Sequence, residues 1–223
     1  MSLAVTALLA AAPESSTMSA PLKTYITART AEFDKIPADR RQQLAPLTDY
    51  VRENSRAGKP VRLTFICTHN SRRSHLSQVW ARTAAAHYGI PSVETFSGGT
   101  EATAFNPRAV AALRRAGFEI PEVLEAGNPR YEVRIHPEGE PMVCFSKVYD
   151  QTPNPKSDFA AVMTCTQADK ACPLVAGAAA RIAIPYEDPK AFDNTPEEER
   201  MYDERTAQIA RELLFVFSQA ASK

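Results

Sequence analysis

Val61-Arg62-Leu63-Thr64-Phe65-Ile66-Cys67-Thr68-His69-Asn70-Ser71-Arg72-Arg73-Ser74 joins a short β-type run to a loop carrying a cysteine and, six positions on, an arginine. Val61 to Ile66 is rich in β-branched and aromatic residues, and Asn70 and Ser71 end the run. Leu76, Val79, Trp80 and Ala84 then recur at helical spacing as far as His87. A loop between strand and helix suits an oxyanion. Its amides and the helix N-terminus point at the anion, and the helix dipole favours negative charge there. Arg73 can fork across two anion oxygens. The same field favours the thiolate of a cysteine at position 67, which makes it a nucleophile at neutral pH, and Ser74 can donate a hydrogen bond to the sulfur.

Further along, Val93 to Phe96 reads as a second strand ending at Ser97-Gly98-Gly99. Asn106-Pro107 opens another helix through Val110, Leu113 and Phe118, with Pro107 at a first-turn position. Phe159 to Cys165 is a buried-type strand, Arg181 to Tyr186 another, and Pro196 to Ser218 a long closing helix. Strands alternating with helices imply an α/β domain with a parallel sheet covered on both faces. Active sites in such sheets lie at the carboxyl ends of strands, where Cys67 and Cys165 both fall.

Before this domain, residues 20–60 are charged and helix-friendly. Ile26, Phe33, Ile36, Leu44, Leu47 and Val51 recur at rough helical spacing, with Pro37 and Pro46 as punctuation. We expect two or three short helices forming an N-terminal extension packed on the main domain. Residues 1–19 hold an Ala-rich apolar stretch with no Lys or Arg before it, so they read as a disordered leader rather than a secretory signal. The expected compartment is the cytoplasm.

The chain has 223 residues, with 26 Lys and Arg balancing 26 Asp and Glu. Zero net charge removes the electrostatic case for nucleic acid, and no apolar run is long enough to span a membrane. Four cysteines in this length are too sparse for a disulfide scaffold. Cys165-Thr166-Gln167-Ala168-Asp169-Lys170-Ala171-Cys172-Pro173 places two of them with six residues between. Zinc knuckles prefer two to four, and no second pair or His cluster follows, so neither a metal nor a cofactor is expected. The spacing permits a disulfide if the segment loops or unwinds, and in the cytosol such a bond is more often catalytic than structural. Two buried structural thiols are the plainer alternative. In Tyr186-Glu187-Asp188-Pro189, the proline holds Asp188 extended just past a strand. There its carboxyl can act as the general acid for a departing oxygen. Glu187 and Asp193 are its competitors.

Thr64 through Ser74 resembles the anion loop shared by low-molecular-weight tyrosine phosphatases and thioredoxin-coupled arsenate reductases. Phe96-Ser97-Gly98-Gly99-Thr100 and Asn106-Pro107-Arg108-Ala109-Val110 are similar to the next segments of those families, and Thr164-Cys165 through Cys172-Pro173 to the redox pair of the reductases. The resemblance implies a three-layer αβα fold with a four-stranded parallel sheet over a catalytic domain spanning residues 61–223. It carries the nucleophile role to Cys67, oxyanion binding to Arg73, the acid role to Asp188 and the redox pair to Cys165 and Cys172. Thr68, His69, Asn70, Ser71, Arg72 and Ser74 become the substrate-binding loop.

The chain departs from the family in several places. His69 stands where a small residue is usual; it can narrow the mouth, supply a donor, or simply be packed or solvated. Arg72 stands where a cysteine is common, and a solvent-facing orientation is expected for it. Lys190-Ala191-Phe192 replaces the tyrosine pair that lines the phosphatase entrance. Residues 132–156 read as a loop-rich insertion, and Cys144 within it has no evident role. The expected function is arsenate reduction through a cysteine relay, with thioredoxin as reductant. The alternatives are phosphate-ester hydrolysis by the same loop and a non-catalytic module that binds phospho-anions.

Overall fold

A computed structural model describes residues 18–171 and 174–222. The expected leader, apart from its last two residues, and Cys172 of the redox pair lie outside the described residues. The elements follow in the order α1 (Ala20–Thr30), a 3-10 turn (Phe33–Lys35), α2 (Ala38–Arg56), β1 (Val61–Cys67), α3 (Arg73–His87), β2 (Val93–Gly99), α4 (Pro107–Arg115), β3 (Tyr131–Val133), β4 (Met142–Cys144), β5 (Phe159–Met163), α5 (Thr166–Ala171), β6 (Ala178–Ala183), a second 3-10 turn (Pro189–Phe192) and α6 (Glu198–Ala221). Strands β2-β1-β5-β6 form one sheet in that order, and all its pairings are parallel. The central position of β1 brings the loop after it to the middle of the sheet's carboxyl edge.

Side-chain alternation explains why the sheet is covered on both faces. Along β5, Ala160 and Val162 enter the large core with Leu63, Phe65 and Trp80. Phe159, Ala161 and Met163 face the other way, into a smaller cluster with Ile66, Cys67, Cys165, Ala168 and Val175. Helices α3 and α6 pack against each other on the large-core side, and α5 lies against β1 and β5. Leu22, Ile26, Leu44, Leu47 and Val51 of the first two helices are fully buried in the large core, so this helical extension shares it.

Three sequence expectations need correction. Pro46 does not interrupt the second helix; it sits inside α2. The helix continues through it because Leu44, Leu47 and Val51 on either side bury one continuous stripe. Strand β6 begins at Ala178 and ends at Ala183, earlier than Arg181 to Tyr186. Its Ala-rich start carries no β propensity and is recruited by pairing with β5. The segment 132–156 is more than loops. Strands β3 and β4 make an antiparallel pair too short to show alternation, and Val148 bridges to Gly99 at the end of β2.

Gly98 permits that last approach, because a β-carbon there would lie 2.3 Å from Tyr149 Cα. We predict that Gly98→Ala lowers unfolding stability by about 1–3 kcal/mol, read from urea denaturation midpoints. A second prediction concerns His75, which is fully buried, stacks on Phe105 at 4.1 Å and has Nδ1 3.1 Å from Ser97 Oγ. Burial holds its pKa well below the ordinary 6.5. The unfolded chain therefore binds the proton more tightly, and acid favours unfolding. Stability should fall as pH drops below about 6.5, by up to about 1.4 kcal/mol per pH unit from this group. Thermal melts of wild type and His75→Gln between pH 5.5 and 7.5 should differ in that slope.

Candidate active site

Cys67 ends β1 and Arg73 begins α3, so the five residues between them must turn the chain within a few ångströms. Asn70 makes the turn with a left-handed backbone, φ 44°, which asparagine tolerates better than most residues. Its side chain holds the turn in place. The amide donates to Ser74 Oγ at 2.9 Å, and its Oδ1 accepts from Lys147 N at 2.9 Å. Ser74 Oγ lies 3.1 Å from Cys67 Sγ.

The loop's carbonyls are engaged from outside. Thr100 N donates to Cys67 O at 3.2 Å, and Glu101 N to Thr68 O at 3.0 Å. Thr103 Oγ1 and Ser146 Oγ both donate to His69 O, at 3.0 and 3.1 Å. Asn106 N donates to Ser71 O at 2.9 Å, and Arg72 O accepts from Leu76 N at 3.0 Å within the helix. In a trans peptide each N–H points opposite to the preceding C=O. Holding the carbonyls of Cys67, Thr68, His69 and Ser71 outward therefore turns the amides of Thr68, His69, Asn70 and Arg72 toward the loop's hollow. Together with the α3 N-terminus they form a cradle of donors suited to a tetrahedral anion. Gly99 lets β2 approach this closely: a β-carbon there would lie 2.7 Å from Asn70 N and Thr68 O.

The remaining charged groups gather around the cradle. Arg73 NH2 donates to Asp188 Oδ2 at 2.8 Å, and its NH1 to Tyr186 O at 3.0 Å. Asp188 also caps the following 3-10 turn through Lys190 N at 3.1 Å, so its carboxyl stays beside the loop. Of the competing carboxylates, Glu187 is exposed, and Asp193 is taken up by Tyr202 OH at 2.7 Å and Arg72 NH2 at 3.3 Å. Cys165 lies two residues beyond Met163, which pairs with Ile66 next to Cys67. Its Sγ is 3.5 Å from Thr68 Oγ1 and accepts from Ala168 N at 3.3 Å. The fold thus brings Cys67, Arg73, Asp188 and Cys165 to one end of the sheet.

Arg72 does not face solvent. It is 9% exposed, and its Nε donates to Tyr202 OH at 2.7 Å. Its position just before α3 aims the side chain at the Tyr202 phenol of α6 and the Asp193 carboxylate after the second 3-10 turn, which offset the cost of burying the guanidinium. His69 does not pack into the core. Its Nε2 pairs with Glu101 Oε1 at 2.9 Å near the surface. The segment read as an insertion supplies Ser146 and Lys147, which the sequence did not single out. Asn128 fixes Ser146 with two bonds, accepting from its N at 2.9 Å and donating to its O at 2.8 Å. Lys147 is buried above the Phe145 ring, and burial lowers its ammonium pKa to about 8. Cys144 is wholly buried, which pushes its thiol up to about 12. Among the described residues no group of three or more His, Cys, Asp or Glu is arranged to hold a metal ion, and no helix is long and apolar enough to cross a membrane.

Residues 62–127 match the family Low molecular weight phosphotyrosine protein phosphatase. An arsenate reductase of Brevibacillus brevis is 29% identical over 147 residues, covering 66% of this chain and 90% of that protein. A low-molecular-weight phosphotyrosine phosphatase structure from Vibrio cholerae O395 aligns with 71% of this chain and 94% of its own, at 13% identity and TM-score 0.48. A thioredoxin-dependent arsenate reductase structure from Corynebacterium glutamicum aligns with 87% of this chain and 84% of its own, at 19% identity and TM-score 0.39. In its cysteine-to-arginine anion loop and its matches in sequence, the chain is similar to both the low-molecular-weight tyrosine phosphatases and the arsenate reductases.

Proposed function

We propose that this protein is an enzyme that reduces arsenate to arsenite through a cysteine relay. The observation that carries this reading is the second thiol, Cys165, whose Sγ lies 3.5 Å from the Thr68 hydroxyl of the anion loop. Ester hydrolysis needs no such group. The curated relatives named arsenate reductase support the same choice.

In this reading the loop amides and Arg73 bind the arsenate oxygens, and the Cys67 thiolate attacks arsenic. An arsenic-bound oxygen leaves as water, protonated by Asp188. An anion entering the cradle competes with Asp188 for Arg73, which frees the carboxyl beside the departing oxygen. Cys165 then attacks the Cys67 sulfur. The sulfur–arsenic bonding pair goes to arsenic, which leaves as arsenite, and a Cys67–Cys165 disulfide forms, the two thiols having given two electrons to arsenic. Attack of Cys172 on Cys165 releases Cys67 and leaves a Cys165–Cys172 disulfide. Each exchange needs a thiolate that can reach the next sulfur. The dithiol that regenerates the pair is thioredoxin, and the compartment is the cytoplasm, where such reductants operate.

A second reading is favoured by the family match over residues 62–127. The same Cys67, Arg73 and Asp188 would hydrolyse a phosphate monoester through a phosphocysteine. Thiols do not reduce phosphate, so Cys165 and Cys172 would be idle in that reaction.

Arsenate-dependent NADPH oxidation with thioredoxin and thioredoxin reductase, run beside aryl phosphate hydrolysis, separates the two. Cys67→Ser should abolish both activities. Cys165→Ser should stop arsenite release and leave hydrolysis intact; arsenate turnover undiminished in that variant would overturn the relay. For the acid, Asp188→Asn should slow turnover by roughly 10²–10⁴-fold while phosphate still protects Cys67 from alkylation. Full turnover in Asp188→Asn would transfer the acid role to another carboxyl.

A further inference from the structure

The N-terminal helical extension reaches the segment that carries Asp188, and we propose that Arg40 of α2 is the residue that positions it. The inference rests on the acid role assigned to Asp188 above.

Arg40 projects from the first turn of α2 into the interior, where its side chain is 11% exposed. Its Nε and NH2 both donate to Glu212 Oε2 of α6, at 3.0 and 2.8 Å. Glu212 is 3% exposed, and its second oxygen accepts from Gln208 Nε2 at 3.0 Å. NH1 of Arg40 donates to Gln43 Oε1 at 2.7 Å. These bonds orient the guanidinium, which stands 4.8 Å from the centroid of the buried Tyr186 ring. A desolvated arginine above an aromatic face is an attractive contact. It clamps the tyrosine from the side of the extension.

Tyr186 is the junction through which this clamp reaches the site. Its N–H donates to Thr164 O at 3.1 Å, one residue before Cys165. Its carbonyl accepts from Arg73 NH1 at 3.0 Å, and Asp188 follows two residues later, bonded to NH2 of the same arginine. A shift of the Tyr186 backbone therefore moves both the anion-binding arginine and the acid. The carboxyl must meet the departing oxygen at hydrogen-bonding distance, so small displacements cost rate. Arg40 touches neither the anion nor the reacting atoms. It acts through Tyr186.

The test uses the full chain with Arg40→Lys and Arg40→Met, the latter also in a Glu212→Gln background so that no carboxylate is left buried without its main partner. The first readout is backbone hydrogen exchange at residues 184–188, which needs no activity. We expect it to quicken by roughly tenfold in the folded variants, while the core of β1 stays protected. The second is hydrolysis of a series of aryl phosphates from 4-nitrophenyl to phenyl. A displaced acid matters most for the most basic leaving group, so the loss in kcat should grow along the series to roughly 10–100-fold, with a smaller change in KM. Arg40→Lys, which keeps the charge but not the fork, should fall between wild type and Arg40→Met.

Unchanged exchange at residues 184–188 would overturn the proposal. So would a rate loss equal for every leaving group, which marks a merely stabilising ion pair. Should wild type turn over neither arsenate nor any aryl phosphate, the functional reading fails, and exchange alone decides whether Arg40 holds the segment.

Discussion

The outward hydrogen bonding of the loop carbonyls governs the rest of this structure. A chain turning between Cys67 and Arg73 could present carbonyls or amides to its own hollow, and only the second choice attracts an anion. Donors from three places impose it: the connection after β2, the start of α4, and Ser146 after β4. Each buried carbonyl that finds an outside donor avoids the cost of an unsatisfied acceptor, and the same bond turns an amide inward. Folding stability and the anion recognition proposed for the loop would thus come from one set of bonds.

This dependence explains why the segment between α4 and β5 is built as it is. Asn128 fixes Ser146, Ser146 fixes the His69 carbonyl, and Lys147 N fixes the side chain of Asn70. The left-handed turn at Asn70 is costly for most side chains. Here it is over-determined by partners on both sides, Ser74 within the loop and Lys147 outside it. A strained residue persists at a functional site when its surroundings leave it no alternative.

Electrostatics divides the two arginines of the loop by what each meets. Arg73 turns toward the sheet's carboxyl end, where Asp188 and the Tyr186 carbonyl receive it. Arg72 turns toward α6 and binds Tyr202 and Asp193, with its Nε also 3.9 Å from Asp188 Oδ1. Arg72 thereby ties the far end of the Asp188 segment to α6. The Tyr186 end is packed beneath Arg40. The carboxyl assigned the acid role in the proposed reaction is thus held by a segment secured at both ends.

The unit from β1 through α3 was legible from residues alone. A β-branched run, the break at Asn70 and Ser71, and the helical recurrence after Arg73 are all local signals. The alternation of strands with helices likewise implied the parallel sheet, and the carboxyl-end rule put Cys67 and Cys165 on the same edge. What residue spacing could not decide was which polar groups would meet across the fold. Ser146 lies 77 positions from the carbonyl it holds, and Cys165 lies 97 from Thr68. Nothing local in Arg72 distinguishes a solvated guanidinium from one buried against Tyr202, and β3 and β4 are too short to carry a period. Such pairings are set by sheet register and helix packing, which put a buried donor near a buried acceptor, and by the cost of leaving either one alone. The sequence determined the main strands and helices and the chemistry at their ends. The tertiary structure decided the partners, because only packing brings distant polar groups out of water together.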